Sequence, residues 1–233
     1  MKKFAIVLVS LAVILVVLDR VGVVVANVAL EGALRDRLHL DRNPKVRVHG
    51  IPFLTQVVGG TYKDMEVDAS GLDAGKLTNV DATVHLHDVQ VPISDLGRWD
   101  FSSIPIGHAQ ATVTVPYNSL VTAAGLGSVT LKASGDALDV SGPVTVAGHT
   151  IDVTARARPK VSGDELQLNP EQGGAAGVEV PGPYLQALRR SVPLTNLPFG
   201  LKVTSVDVTP DGLRATGTVD DVTIRDGELV PSA

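Results

Sequence analysis

Two periods of apolar residues divide the chain. From Phe4 to Leu18 the run is apolar at every position except Ser10. Leu30, Leu34 and Leu38 then repeat at i+4, with Glu31, Arg35, Asp36 and Arg37 on other faces, so residues 21–40 read as an amphipathic helix that Asn43-Pro44 ends. Beyond Pro44 the period changes to two. Strands are expected at Lys45–His49, Tyr62–Ala69, Val80–Val91, Ala109–Val115, Ser128–Ala133, Ala137–Val146, His149–Ala157, Glu165–Leu168, Leu201–Thr209 and Leu213–Ile224. Ser134-Gly135-Asp136 and Pro210-Asp211-Gly212 are tight-turn signals that make antiparallel hairpins of their neighbours. The strands lie too close together for helical crossovers, so the sheet is antiparallel.

Two short helical patterns interrupt the strands. Tyr117 to Gly125 places Leu120, Val121 and Ala124 on one side, and Pro183 to Val192 carries Tyr184, Leu185 and Leu188. Pro116 and Pro183 stand where helix starts tolerate proline. Val-Pro-Tyr at 115–117 and Val-Pro-Gly-Pro-Tyr at 180–184 each open a helix that leads to a strand hairpin. This faint repeat is read either as a helix-on-hairpin unit or as chance likeness between hairpins.

The N-terminal run is about 22 Å long as a helix, shorter than a bilayer core of about 30 Å. Lys2 and Lys3 precede it, which keeps that end inside the cytoplasm and sends the remainder out. Val24 and Ala26 suit the −3 and −1 positions of a signal peptidase site, whereas Asp19-Arg20 ahead of them do not. Cleavage and retention as an anchor both stay open. The chain has no cysteine, which removes disulfides, thiolate chemistry and a lipoprotein anchor together. Only 3% of residues are aromatic, so the core is built from valine and other small apolar side chains suited to sheet. Net charge is −5, and the first twenty residues hold three of the basic side chains against one acidic. No basic cluster follows, so nucleic acid is excluded as a partner.

No catalytic motif with defined spacing occurs, and no cofactor fingerprint. His85 and His87 share one face of an expected strand with Asp81 and Thr83, but zinc needs a third ligand that Asp81 reaches only through a bulge. The plainer reading is a wet strand face, so no metal is assigned. Asp73, Asp95, Asp100, Asp164 and Glu165 lie near turns as solvated side chains, and nothing marks a carboxylate pair for glycosidic chemistry.

Apolar residues in loop-like places remain. Ile51-Pro52-Phe53-Leu54 and Leu194 to Gly200 hold two of the four phenylalanines, beside short amphipathic helices. Such segments suit the mouth of a greasy groove, although each alone also suits ordinary packing. The run Val46-Arg47-Val48-His49-Gly50-Ile51-Pro52-Phe53-Leu54-Thr55-Gln56, with Gly59-Gly60-Thr61-Tyr62 and the later Val115-Pro116-Tyr117 and Leu120, resembles the actinobacterial LmeA-like phospholipid-binding family over most of residues 19–225. That resemblance implies a cell-envelope protein that binds phospholipid, including phosphatidylinositol-type glycolipid, and supports lipomannan mannan-chain elongation. It supplies no catalytic residues.

The expected architecture is α+β, a long curved antiparallel sheet with two or three helices in its concavity, similar to tubular lipid-binding domains. Residues 1–20 are a signal peptide or anchor, 21–228 a single lipid-binding domain, and 229–233 a tail. The expected function is non-catalytic lipid binding at the outer face of the cytoplasmic membrane. Ile51, Phe53, Leu54, Tyr62, Tyr117, Leu120, Leu185, Leu188, Leu197 and Phe199 are the expected acyl-chain contacts. Arg189 and Arg190, at the end of the second short helix, are candidates for the headgroup phosphate, or else plain helix-end charges. An envelope scaffold that recruits glycosyltransferases is the alternative, with a cell-wall glycan enzyme third.

Overall fold

A computed structural model of the chain describes residues 2–38, 40–98, 103–123, 125, 128–146, 148–162, 165–175, 178–179, 189–193, 202–225 and 228–231, and every structural statement below concerns these residues. The protein is α+β. Four helices are described: α1 (Lys2–Leu38), α2 (Phe53–Gly59), α3 (Ile93–Arg98) and α4 (Tyr117–Ala123). Thirteen strands are described: β1 (Lys45–His49), β2 (Thr61–Ala74), β3 (Leu77–Gln90), β4 (Ser103–Val115), β5 (Thr130–Ser134), β6 (Ala137–Val146), β7 (His149–Ser162), β8 (Glu165–Ala175), β9 (Val178–Glu179), β10 (Arg190–Pro193), β11 (Lys202–Thr209), β12 (Gly212–Arg225) and β13 (Glu228–Pro231).

The strands form two sheets. One runs β1-β2-β3-β4-β12-β11, with β13 also on β12, and the other runs β10-β8-β7-β6-β5, with β9 also on β8. The chain packs as two compact units. The first comprises residues 1–69, 83–110 and 219–233, and the second comprises 70–82 and 111–218.

In the first unit, α1 is continuous, so the apolar run and the amphipathic segment form one helix. Its later part covers the edge strand β1. The Val48 N–H donates to Asn27 Oδ1 and the Val46 N–H to Glu31 Oε1, both at 3.1 Å. The spacing fits: four residues of helix rise about 6 Å and two residues of strand about 6.6 Å, so partners at i,i+4 meet donors at i,i+2. Outward-facing N–H groups of an edge strand are thereby satisfied within the protein. Val46 and Val48 point inward from the same strand. Val48, Phe53, Tyr62, Val89, Val91 and Ile106 are central to this unit's core, against which Val23, Ala26 and Leu30 of α1 pack.

In the second unit, β5 and β6 form a hairpin turned at Gly135, which takes φ 66°. β6 and β7 pair in unbroken register from Leu138↔Ala157 to Val146↔His149. Val153, Ala155 and Ala157 alternate inward along β7. Leu138, Val140, Ala157 and Leu213 centre the core, with Tyr117, Leu120, Leu131, Val206 and Val208 around them. Gly212 is required at the start of β12, because a Cβ there would lie 2.2 Å from the Val115 carbonyl oxygen.

Most hairpins follow the period-two reading, and β1 and β6 match it to the residue. Two expectations are corrected. Phe53 and Leu54, read as loop-like, open a helix that runs to Gly59, because Pro52 opens the turn and Gly60, at φ 66°, closes it with its N–H directed at the carbonyls of Gln56 and Val57. The second short helix does not extend to Val192: Arg190–Pro193 is a strand, with Arg190 opposite Leu168 on β8. There the backbone hydrogen bonds of β8's edge decide the conformation, and Arg190 stands on a strand. Its proposed start, residues 183–188, lies outside the described residues.

Candidate functional site

The sequence candidates fall into three groups. In the first unit, Phe53 and Tyr62 are interior, with ring centroids 6.2 Å apart in a tilted pair. Burial pushes the Tyr62 phenol above its ordinary range. Ile51 and Leu54, beside Phe53 in sequence, are exposed. In the second unit, Tyr117 and Leu120 sit on α4 within one apolar cluster. Leu185, Leu188, Leu197 and Phe199 lie outside the described residues. Arg189 is exposed immediately before β10, and Arg190 is the first residue of that strand.

Tyr117 marks a cleft. A cavity of about 520 Å³ is lined by Tyr117, Leu131, Lys132, Ala133, Gly135, Val208, Thr209 and Pro210. That volume lies within the range of small-ligand pockets. The two tight turns legible in the sequence both border it, one through Gly135 and the other through Thr209 and Pro210. Tyr117 forms a wall rather than a free hydrogen-bonding group, since its hydroxyl donates to the carbonyls of Thr209 at 2.6 Å and Gly212 at 3.1 Å. Burial raises its phenol pKa, the hydrogen bond to Thr209 opposes the rise, and the Asp211 charge adds to it. The start of α4 is held by the Thr78 N–H donating to Ser119 Oγ at 2.8 Å.

Lys132, exposed on β5, is one of the lining residues, along with polar Thr209 and apolar Leu131, Val208, Pro210 and the Tyr117 ring. β5 is the outer strand of its sheet, so the cleft opens along an unpaired strand edge. Of the residues singled out in the sequence, Tyr117 lines this cleft, and Lys132, Leu131 and Val208 were not singled out. The available signal was the alternation on either side of the two turns, which read only as hairpin.

Of the two histidines expected on one strand face, His87 has a ring partner and a backbone partner. His87 stacks on His108 with ring centroids 5.9 Å apart, and its Nδ1 lies 3.3 Å from the Lys63 carbonyl. His108 Nδ1 faces Asp220 Oδ1 at 2.5 Å. Among the described residues no three His, Cys, Asp or Glu side chains converge on one point where a metal ion would sit.

A partly apolar cleft bordered by a lysine suits an amphiphile carrying an anionic group. Comparison with known proteins points the same way. No curated protein and no solved structure matches the chain. The sequence profile of one family matches residues 17–218, from the end of the apolar run in α1 into β12, and on that match the chain belongs to the LmeA-like phospholipid-binding family.

Proposed function

We propose that this protein is a membrane-anchored phospholipid-binding protein working at the outer face of the cytoplasmic membrane. Lipid would enter the second unit's cleft, with acyl carbon against Tyr117, Leu131 and Val208 and the phosphate near Lys132. Burying a methylene is worth about 0.8 kcal/mol in protein or bilayer alike, so exchange between the two is near neutral and reversible. Such exchange needs no catalytic group. The role that the resemblance implies, binding phosphatidylinositol-type lipid in support of lipomannan mannan-chain elongation, fits this chemistry.

The observation that supports anchoring is the continuity of α1. Cutting after Ala26 would remove Asp19, which accepts the Leu54 N–H, together with Val23 and Ala26, which pack on the core. A helix whose residues 19–31 are built into the first unit is a poor signal peptide and a good anchor. Ahead of that packed stretch, the exposed apolar side chains from Val9 to Leu18 are the part of α1 free to enter a membrane.

Native mass spectrometry of the full chain, purified from envelopes in mild detergent, tests both parts. The expected result is an intact N-terminus and a bound phospholipid, with the lipid lost in Leu131→Asp and weakened in Lys132→Glu. A bare protein mass across gentle preparations would move the reading to an envelope scaffold. Loss of residues 1–26 would remove the anchor. A reporter fused at the C-terminus should be active only outside the cytoplasm.

A further inference from the structure

The helix α2 buries Phe53 against the core and also turns apolar residues outward. Its sequence, Phe-Leu-Thr-Gln-Val-Val-Gly, contains no charge. Its polar Gln56 is buried and fully used: Nε2 donates to the His49 carbonyl at 3.1 Å and Oε1 accepts the Lys63 N–H at 3.0 Å. Its apolar Leu54 and Val58, one turn apart, face outward, with Val58 77% exposed and Ile51, just ahead of the helix, 82% exposed. A surface helix in water ordinarily turns polar residues to its outer face.

The position of α2 along α1 says what covers this face. The Leu54 N–H donates to Asp19 Oδ1 at 2.8 Å, and Arg20 of the same pair donates to the Gly50 carbonyl at 3.4 Å. Asp19 is the first residue after the apolar run, so the start of α2 is tied to the level where that run ends. From Phe4 to Leu18 the run covers about 22 Å of the roughly 30 Å of a hydrocarbon core, leaving about 8 Å uncovered. Interfacial helices bury their apolar faces about 5–10 Å deep, which is the depth that is missing. Val21, Val24, Val25 and Val28 continue an exposed apolar stripe on α1 over the same stretch.

We infer that Ile51, Leu54 and Val58 form a pad that sinks into the outer leaflet beside the anchor helix, holding the first unit flat against the bilayer. The occupant of this face is the lipid surface itself. The inference rests on the anchor reading above, and not on lipid occupying the cleft. Its consequence is that the first unit rides on the membrane at a fixed depth rather than swinging on a tether.

The chain contains no cysteine, so single spin labels are introduced without background. Ile51→Cys, Val58→Cys and the exposed control Asp152→Cys are made in the full chain and reconstituted into vesicles of phosphatidylcholine and phosphatidylglycerol. Positions 51 and 58 are solvent-facing, so the labels do not disturb the core. Labels at 51 and 58 should be open to dissolved oxygen and several-fold less open to an aqueous nickel chelate than the label at 152. Equal chelate access at all three positions, in protein that still sediments with the vesicles, overturns the pad and leaves the anchor standing. Protection that vanishes when protein is diluted at constant lipid means a second copy covers the face, which also overturns it. Protein that fails to stay with the vesicles refutes the anchor and the pad together.

Discussion

The carboxylate of Asp19 accepts the Leu54 backbone N–H at 2.8 Å, across 35 residues of sequence. Helix α2 begins after Pro52, which has no side chain able to cap it. Asp19 takes over that task from a neighbouring helix, and Arg20 pairs with it to hold the charge. One residue thus joins α1 to the start of α2.

Asp19→Ala should loosen α2 without unfolding the unit. The first N–H groups of a helix need acceptors, and here the acceptor is remote. Hydrogen exchange at the Leu54 amide is expected to accelerate several-fold, while exchange in β6 and β7 stays unchanged. Asp19→Asn keeps an oxygen at the same place and should retain most of the protection.

Phe53→Ala should be much more damaging. Phe53 is interior, packs on Tyr62, and has Gly22 of α1 close against its ring. Its truncation opens a cavity and is expected to cost about 3–5 kcal/mol. Denaturant unfolding of delipidated protein checks this, since bound lipid itself raises apparent stability. Val58→Ala on the same helix removes only exposed surface and should shift the midpoint little.

Tyr117→Phe separates the hydroxyl from the ring. The variant keeps the wall of the cleft but loses the bonds to Thr209 and Gly212, at a net cost of about 1 kcal/mol. The phenol's folded pKa is raised above its unfolded value. Its contribution is therefore complete below about pH 10 and declines as pH rises through the folded value. Wild-type protein should lose stability in that alkaline window faster than the phenylalanine variant, while lipid capture by the two stays similar.

Asp68 predicts the acid limb. Burial raises its pKa, but the Thr83 hydroxyl hydrogen bond at 2.8 Å, with the charge and hydrogen bond of Arg47, outweighs burial and leaves it lowered. A carboxyl lowered on folding contributes fully above its unfolded pKa of about 3.9, and the contribution is lost as pH falls through the folded value. Asp68→Asn should be less stable than wild type at neutral pH. The difference should shrink below about pH 4, which acid titration of the unfolding midpoint would show.

Period-two alternation and turn residues determined the antiparallel hairpins by themselves. β1 and β6 are bounded by the residues read from sequence, because which side chain points inward depends only on i and i+2. The turn at Gly135 was equally local, set by φ 66° that glycine adopts without strain. The helix that begins at Tyr117 was legible because Pro116 announced it in a strand-rich stretch. Lys132 and Leu131 were not, since the cleft exists only once two hairpin turns far apart in sequence border one space. The outward apolar face of α2 was also hidden. Gln56 looks like a surface residue until His49 and Lys63 supply buried partners for it, and only then do Leu54 and Val58 turn outward. Arg190–Pro193 became strand because β8 offers it backbone partners. Local pattern determines which residues can share a face; the partners that satisfy buried polar groups come from distant segments, and only the tertiary structure supplies them.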